Sequence, residues 1–220
     1  MESMVEIELK ARVADPRSLV QNLELWADFK GCRLKDDLYW GAPQRQVQLR
    51  IRRERLLFTL SEVFETEEWL WPFAGDQGMG DRELLRPLVR GPWGTEKIFA
   101  TYKKKQVVED SCEVNQEQEF QVDRGEPLEA FLQDAGFSVV LRKEKLVATW
   151  HWGDCSIELC HIPELGDYLE LELLRDSADQ QEVAACQQWL REVLERCGIG
   201  EEAIEPRFYC QLLEDARRGG

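Results

Sequence analysis

Six residues near the N-terminus, Val5-Glu6-Ile7-Glu8-Leu9-Lys10, put the tightest limit on what this chain can fold into. At a strand's period of two, Val5, Ile7 and Leu9 share one face, and Glu6, Glu8 and Lys10 share the other. A single hexapeptide of this kind describes any half-solvated antiparallel strand. Recurrence narrows the choice. Like-charged pairs two residues apart return as Arg50/Arg52, Lys103/Lys105, Glu117/Glu119, Lys143/Lys145 and Glu170/Glu172, nearly all within strand-like segments. A sheet with so many matched charges on one face is either unusually wet outside or closed around something ionic.

Taken in order, the chain supplies about eight such strands with short links. Asp15-Pro16 reads as an N-cap and first helical residue, and Leu19, Leu23, Trp26 and Phe29 then recur at helical spacing with Gly31 as the stop. Strands are expected at 33–40 and 46–60, where Arg53 and Arg55 fall on the opposite parity from Arg50 and Arg52. Residues 62–98 break the rhythm with Glu65, Glu67 and Glu68 before Trp69-Leu70-Trp71-Pro72-Phe73, and a short helix is expected over Asp81 to Arg90. A connection of that length is usually functional or mobile. Strands resume at 98–104 and 113–123. A helix over 127–135 follows, with Leu128, Phe131 and Leu132 inward and Gly136 as its stop. Three further strands (138–151, 155–160 and 168–173) lead to a helical tail over 177–218. There Ser177 or Asp179 caps a helix that buries Val183, Cys186, Leu190, Val193, Leu194 and Cys197, and a last helix starts at Pro206. The reading is one α+β unit over 1–220: a closed eight-stranded antiparallel barrel with flanking and C-terminal helices and an insertion at 62–98.

Composition removes several classes of function. The net charge of −15 is the wrong sign for a phosphate-backbone footprint on nucleic acid. No stretch approaches the eighteen uninterrupted apolar residues of a transmembrane helix. The N-terminus runs directly into a charged strand, which leaves no room for a signal peptide. Seven scattered cysteines without zinc-type spacing fit a reduced, cytoplasmic protein. Closing eight strands leaves an interior wide enough for one small ligand. Charges pointing into it need opposite charges, a metal or a charged ligand, because isolated buried ions are costly. Glutamates suit Mg²⁺ or Mn²⁺, and arginines and lysines suit phosphate oxygens. Together they are the equipment of phosphoryl chemistry.

In that setting Glu6-Ile7-Glu8-Leu9-Lys10 resembles the Glu-x-Glu-x-Lys signature of the CYTH superfamily, the triphosphate tunnel metalloenzymes. Asp37-x-Tyr39, Arg50-x-Arg52, Thr101-Tyr102-Lys103, Glu117-x-Glu119, Lys143-x-Lys145 and Leu165-Gly166-x-Tyr168-x-Glu170-Leu171-Glu172 follow in the family's order. The resemblance spans roughly residues 4 to 173 and implies an eight-stranded tunnel open at both ends. It implies that Glu6, Glu8, Glu170 and Glu172 hold Mg²⁺ or Mn²⁺, with Glu117, Glu119 and Glu158 as further candidates. Lys10, Arg50, Arg52, Lys103, Lys105, Lys143 and Lys145 would line the triphosphate path, and Lys10, Tyr39 and Lys103 are the catalytic candidates. Three departures stand out. Cys160 occupies a position where the family often has aspartate, Lys145 stands where many members have arginine, and the 62–98 segment is longer than usual.

Three functions fit the resemblance. One is metal-dependent hydrolysis of inorganic tripolyphosphate or an organic triphosphate. The second is a class IV adenylyl cyclase reaction giving cyclic AMP and pyrophosphate. The third is a polyphosphate-binding module without turnover. The cyclases tend to carry a His-Phe pair before the first strand, and residues 1–4 have none, which favours hydrolysis. The expected partner is a small triphosphate, without nucleic acid or membrane, on a monomer or homodimer. His151 and His161 read as structural or surface residues and Cys160 as a packed one.

Overall fold

A computed structural model of the protein describes residues 4–42, 45–58, 96–107, 111–176 and 179–219; the side chains of residues 4, 45–48, 58, 103–107, 117 and 219 fall outside that description. All but the last few residues of the 62–98 insertion, including its tryptophans and expected helix, lie outside the described residues.

Eight strands are present among the described residues: β1 (Met4–Arg12), β2 (Asp28–Ala42), β3 (Arg45–Phe58), β4 (Lys97–Val107), β5 (Cys112–Val122), β6 (Ser138–Trp152), β7 (Cys155–Ile162) and β8 (Gly166–Arg175). Every pairing is antiparallel, and the order β1-β5-β4-β3-β2-β6-β7-β8 returns to β1 as a closed barrel. The helices among the described residues are α1 (Pro16–Leu23), α2 (Gly125–Asp134), α3 (Gln180–Arg196) and α4 (Tyr209–Gly219), with a 3-10 turn at Glu201–Ala203. No helix among the described residues is long and apolar enough to cross a membrane.

The apolar parity of the strands faces the helices, so the core lies outside the barrel. Val5, Ile7 and Leu9 of β1 pack with Leu169, Leu171 and Leu173 of β8 against α1 and α3. From α3, Val183, Cys186, Leu190, Val193, Leu194 and Cys197 are all buried there, as their spacing requires. Each fully buried leucine or isoleucine stabilises the fold by about 1.5–3 kcal/mol. A smaller cluster of Trp40, Ile51, Ile98 and Leu132 lies under α2. With the apolar faces covered from outside, the charged parity is left for the interior.

Several boundaries differ from the sequence reading. Helix α1 ends at Leu23, so Trp26 and Phe29 are not helical; Phe29 already belongs to β2. Gly31 is not a helix stop. It follows Lys30, which is left over where β2 slips register against β6, and its φ of 126° is one that glycine adopts without strain. Phe131 points outward at 66% exposure, because α2 buries only the narrower stripe through Leu132. Asp179 caps α3 by accepting from the amides of Gln181 and Glu182, and Ser177, the other expected cap, lies outside the described residues. The last helix starts at Tyr209 and not at Pro206, because 204–208 first run along the barrel: Ile204 bridges Ala11, and the Glu205 amide donates to the Lys10 carbonyl at 2.8 Å.

Candidate functional site

The barrel encloses a cavity of about 1530 Å³. Twelve of the fifteen candidate residues line it: Glu6, Glu8 and Lys10 from β1, Tyr39 from β2, Arg50 and Arg52 from β3, Glu119 from β5, Lys143 and Lys145 from β6, Glu158 from β7, and Glu170 and Glu172 from β8. The side chains of the other three, Lys103, Lys105 and Glu117, lie outside the described part of the structure. Arg53, on the other parity, pairs with Glu129 of α2 outside the barrel.

The basic side is built around a buried aspartate. Asp37 is wholly inaccessible and accepts from Arg52 Nε at 2.6 Å and Nη2 at 2.9 Å, with Lys143 Nζ 3.5 Å away. Burial opposes its charge, but Arg52 and Lys143 outweigh that and hold the carboxyl well below its usual range. Arg50 donates through Nη2 to Thr101 Oγ1 at 3.1 Å and lies 3.4 Å from Glu119, which also accepts from Thr101 at 2.7 Å. Glu119 therefore belongs with the basic side and not with the other carboxylates. The buried Nε of Arg50 finds no hydrogen-bond partner among the described residues, a donor left for a ligand. Burial would raise the Tyr39 phenol, yet Lys143, Arg50 and Arg52 bring it below its ordinary value.

The acidic side runs across β5, β1, β8 and β7. In register, Glu8 faces Glu113 on one side and Glu172 on the other. Asn115 Nδ2 donates to Glu6 at 3.2 Å. Farther along, Glu158, Cys160 and Glu170 bring one ligand atom each to within 4.8 Å of one another. Burial pushes the Cys160 thiol well above its usual value, with Glu170 adding to the effect. Lys145 Nζ donates to Glu170 at 2.6 Å, and Lys35 Nζ donates to both oxygens of Glu158 at 2.7 and 2.8 Å.

One mouth of the cavity is covered from the C-terminus. Lys10 Nζ donates to the Arg207 carbonyl at 2.5 Å, and the Tyr209 ring lies 4.5 Å from Lys10 Nζ and 4.6 Å from Lys143 Nζ. Tyr209 also packs with Tyr168, Ile162 and Leu212, an apolar cluster across that end. Of the two ends that the resemblance implies, the described residues place Arg207 and Tyr209 at one.

Sequence reasoning missed Lys35, Asp37's role, Glu113 and Tyr209. Arg33/Lys35 is itself a like-charged pair two residues apart, so the rule that found the others could have found it. Glu113 lies two residues from an asparagine, and Tyr209 reaches the site from a distant helix; neither leaves a spacing signal.

Fold and site together define an α+β antiparallel barrel protein with an ion-lined interior. The chain belongs to the CYTH domain family, which it matches over residues 4–209. A search of curated proteins gave no sequence match. Among solved structures, a Pyrococcus horikoshii OT3 protein superposes with a TM-score of 0.70 at 21% identity, covering 96% of this chain and 98% of its own. A candidate adenylate cyclase of Vibrio parahaemolyticus gives 0.65 at 15% identity over 95% and 97% of the two chains. A candidate adenylyl cyclase from Hippeastrum, described as having a dominant triphosphatase activity, gives 0.52 at 14% identity over 89% and 88%. At these identities the likeness is one of fold.

Proposed function

We propose that the protein is a divalent-metal-dependent triphosphatase that hydrolyses inorganic tripolyphosphate or an organic triphosphate inside the barrel. The observation that carries this reading is the opposition, in one cavity, of Arg50, Arg52, Lys143 and Lys10 to the carboxylates of β1 and β8. A linear polyanion satisfies the first set, and a hard cation satisfies the second.

The Glu113–Glu8–Glu172 row fits Mg²⁺ or Mn²⁺ by its donor chemistry. Three carboxylates on neighbouring strands offer only oxygen ligands, and like charges placed side by side repel unless a cation lies among them. Bound there, the metal would neutralise charge on the phosphoryl oxygens. The chain's own residues do the rest. Asp37 fixes the Arg52 guanidinium and the Lys143 ammonium, so both are already in place when the phosphates enter. The free Nε of Arg50 donates to a phosphate oxygen, and the acidified Tyr39 hydroxyl stands beside Lys143, 5.7 Å from ring centre to Nζ. Water attacks the terminal phosphorus, one P–O bond breaks, and the shortened anion leaves. The triphosphatase activity named for the Hippeastrum protein supports this choice over cyclisation.

Incubating the protein with tripolyphosphate, thiamine triphosphate or ATP, in Mg²⁺, Mn²⁺ or EDTA, tests it when both phosphate and cyclic AMP are assayed. Phosphate should appear with either metal and stop in EDTA. Glu8→Gln should lower the rate at least 100-fold, roughly 2.7 kcal/mol. Cyclic AMP as the main product from ATP would make the protein a cyclase, and turnover undiminished in EDTA would end the metal-dependent reading.

A further inference from the structure

Residues 204–209 form a strap that is tied to β1 before it enters the cavity lining. Ile204 bridges Ala11, the Glu205 amide donates to the Lys10 carbonyl at 2.8 Å, and the Glu205 carboxylate accepts from Arg12 and Arg207. The strap delivers the Tyr209 ring to two of the cations on the proposed phosphate path. The ring centre lies 4.5 Å from Lys10 Nζ and 4.6 Å from Lys143 Nζ, close enough for an aromatic face to attract both ammoniums. On its other side the ring meets Tyr168 edge-on, with ring centres 5.3 Å apart, and packs with Ile162 and Leu212. Ile162 ends β7 and Tyr168 lies near the start of β8, so this packing fixes Tyr209 at one end of the strands. His151 and Ser156, which also line the cavity, sit at the opposite end, by the β6–β7 turn. Tyr209 itself is buried, a fixed part of the wall and not a loose tail.

We propose that Tyr209 is the stop at the end of the phosphate path, so that the protein takes linear polyphosphates with a free terminal phosphate, inserted end-first against this ring. A phosphate held by Lys10 and Lys143 takes their ammoniums from the cavity side, because the ring already lies against both. The Arg207 carbonyl, which accepts from Lys10 Nζ at 2.5 Å, holds that ammonium in place. A group esterified to this phosphate has nowhere to go except into the space of the ring. Entering there means giving up the packing on Tyr168, Ile162 and Leu212 and the contact with two cations. Tripolyphosphate meets the condition, and so does an organic triphosphate whose substituent points toward His151 and Ser156. A polyphosphate esterified at both ends does not. Tyr209 thus determines specificity and takes no part in breaking the P–O bond.

The inference rests on the triphosphate reading above, and calorimetric titration in EDTA with tripolyphosphate, phenyl triphosphate and diphenyl triphosphate, the last esterified at both ends, separates the two. In the wild type the first two should bind within about tenfold of each other, and the diphenyl ester at least about 30-fold more weakly than the monophenyl ester. Tyr209→Ala leaves a gap the size of a phenyl ring, so there the penalty for the second ester should fall at least tenfold. Tyr209→Phe keeps the ring and should keep the penalty within about threefold of the wild type. A smaller wild-type penalty, a loss of affinity already with one ester, or a penalty unchanged in folded Tyr209→Ala would overturn the inference and spare the triphosphate reading. No binding of tripolyphosphate to the wild type would overturn both. Should Tyr209→Ala not fold, the wild-type affinities and Tyr209→Phe decide.

Discussion

Asp37 is the residue on which the basic side depends. It has no access to solvent, it takes both nitrogens of one face of Arg52, and it holds Lys143 within 3.5 Å. Removing its charge would leave a buried guanidinium and ammonium without their counter-ion, and breaking a buried pair in this way costs about 3–5 kcal/mol. Asp37→Asn is therefore expected to lower the stability in urea by that amount at pH 7, through a lower midpoint with an unchanged slope. A loss under about 1 kcal/mol would mean that Arg52 and Lys143 find other partners. The aspartate was visible in the sequence as part of Asp37-x-Tyr39, but not its role, because nothing in the spacing says that Arg52 and Lys143 converge on it from the two strands flanking β2. The glutamates of Glu6-x-Glu8 and Glu170-x-Glu172 were easier to place. A strand has two faces, the apolar one must be buried, and the charged one then has only the cavity or the solvent.

Among the elements, the strands were legible and the segments that close the barrel were not. The period of two locates β1, β3, β6 and β8 and fixes which parity faces inward. It is silent on the end of α1, where Trp26 and Phe29 keep an apolar spacing although the helix has ended at Leu23 and Phe29 already lies in β2. It is equally silent on the strap over 204–209. That strap is held by Glu205, which accepts from Arg12 Nη2 at 3.0 Å and from Arg207 Nε and Nη2, both at 2.8 Å. The hydrogen bonds from Arg207, helped by the one from Arg12, outweigh burial and bring the Glu205 carboxyl down to about 2. A carboxyl lowered on folding stabilises above its unfolded pKa and loses that contribution as pH falls through the folded one. Glu205→Gln should accordingly be less stable than wild type at pH 7, by about 1–3 kcal/mol. The difference should shrink between pH 4.5 and pH 2. Urea unfolding of both proteins at pH 7 and pH 2.5 measures it, and an equal difference at the two pH values would show that the strap is held by packing alone.

At the scale of the whole molecule, a chain of net charge −15 has nevertheless brought Lys10, Arg50, Arg52, Lys143 and Lys145 together in one cavity. The closed strand order leaves no edge among the described strands, and the helices cover much of its apolar exterior, so the interior is left to Arg50, Arg52, Lys143 and Lys10 with the carboxylates. A polyanion approaching from solvent meets overall repulsion, and its affinity has to come from contacts inside the barrel. Calorimetric titration of tripolyphosphate into the protein in EDTA reads those contacts without turnover. One anion should bind per chain, and Arg50→Met, with its fold intact, should weaken it at least 100-fold, about 2.7 kcal/mol. Equal affinity in the variant and the wild type would place the anion outside the barrel and contradict the account.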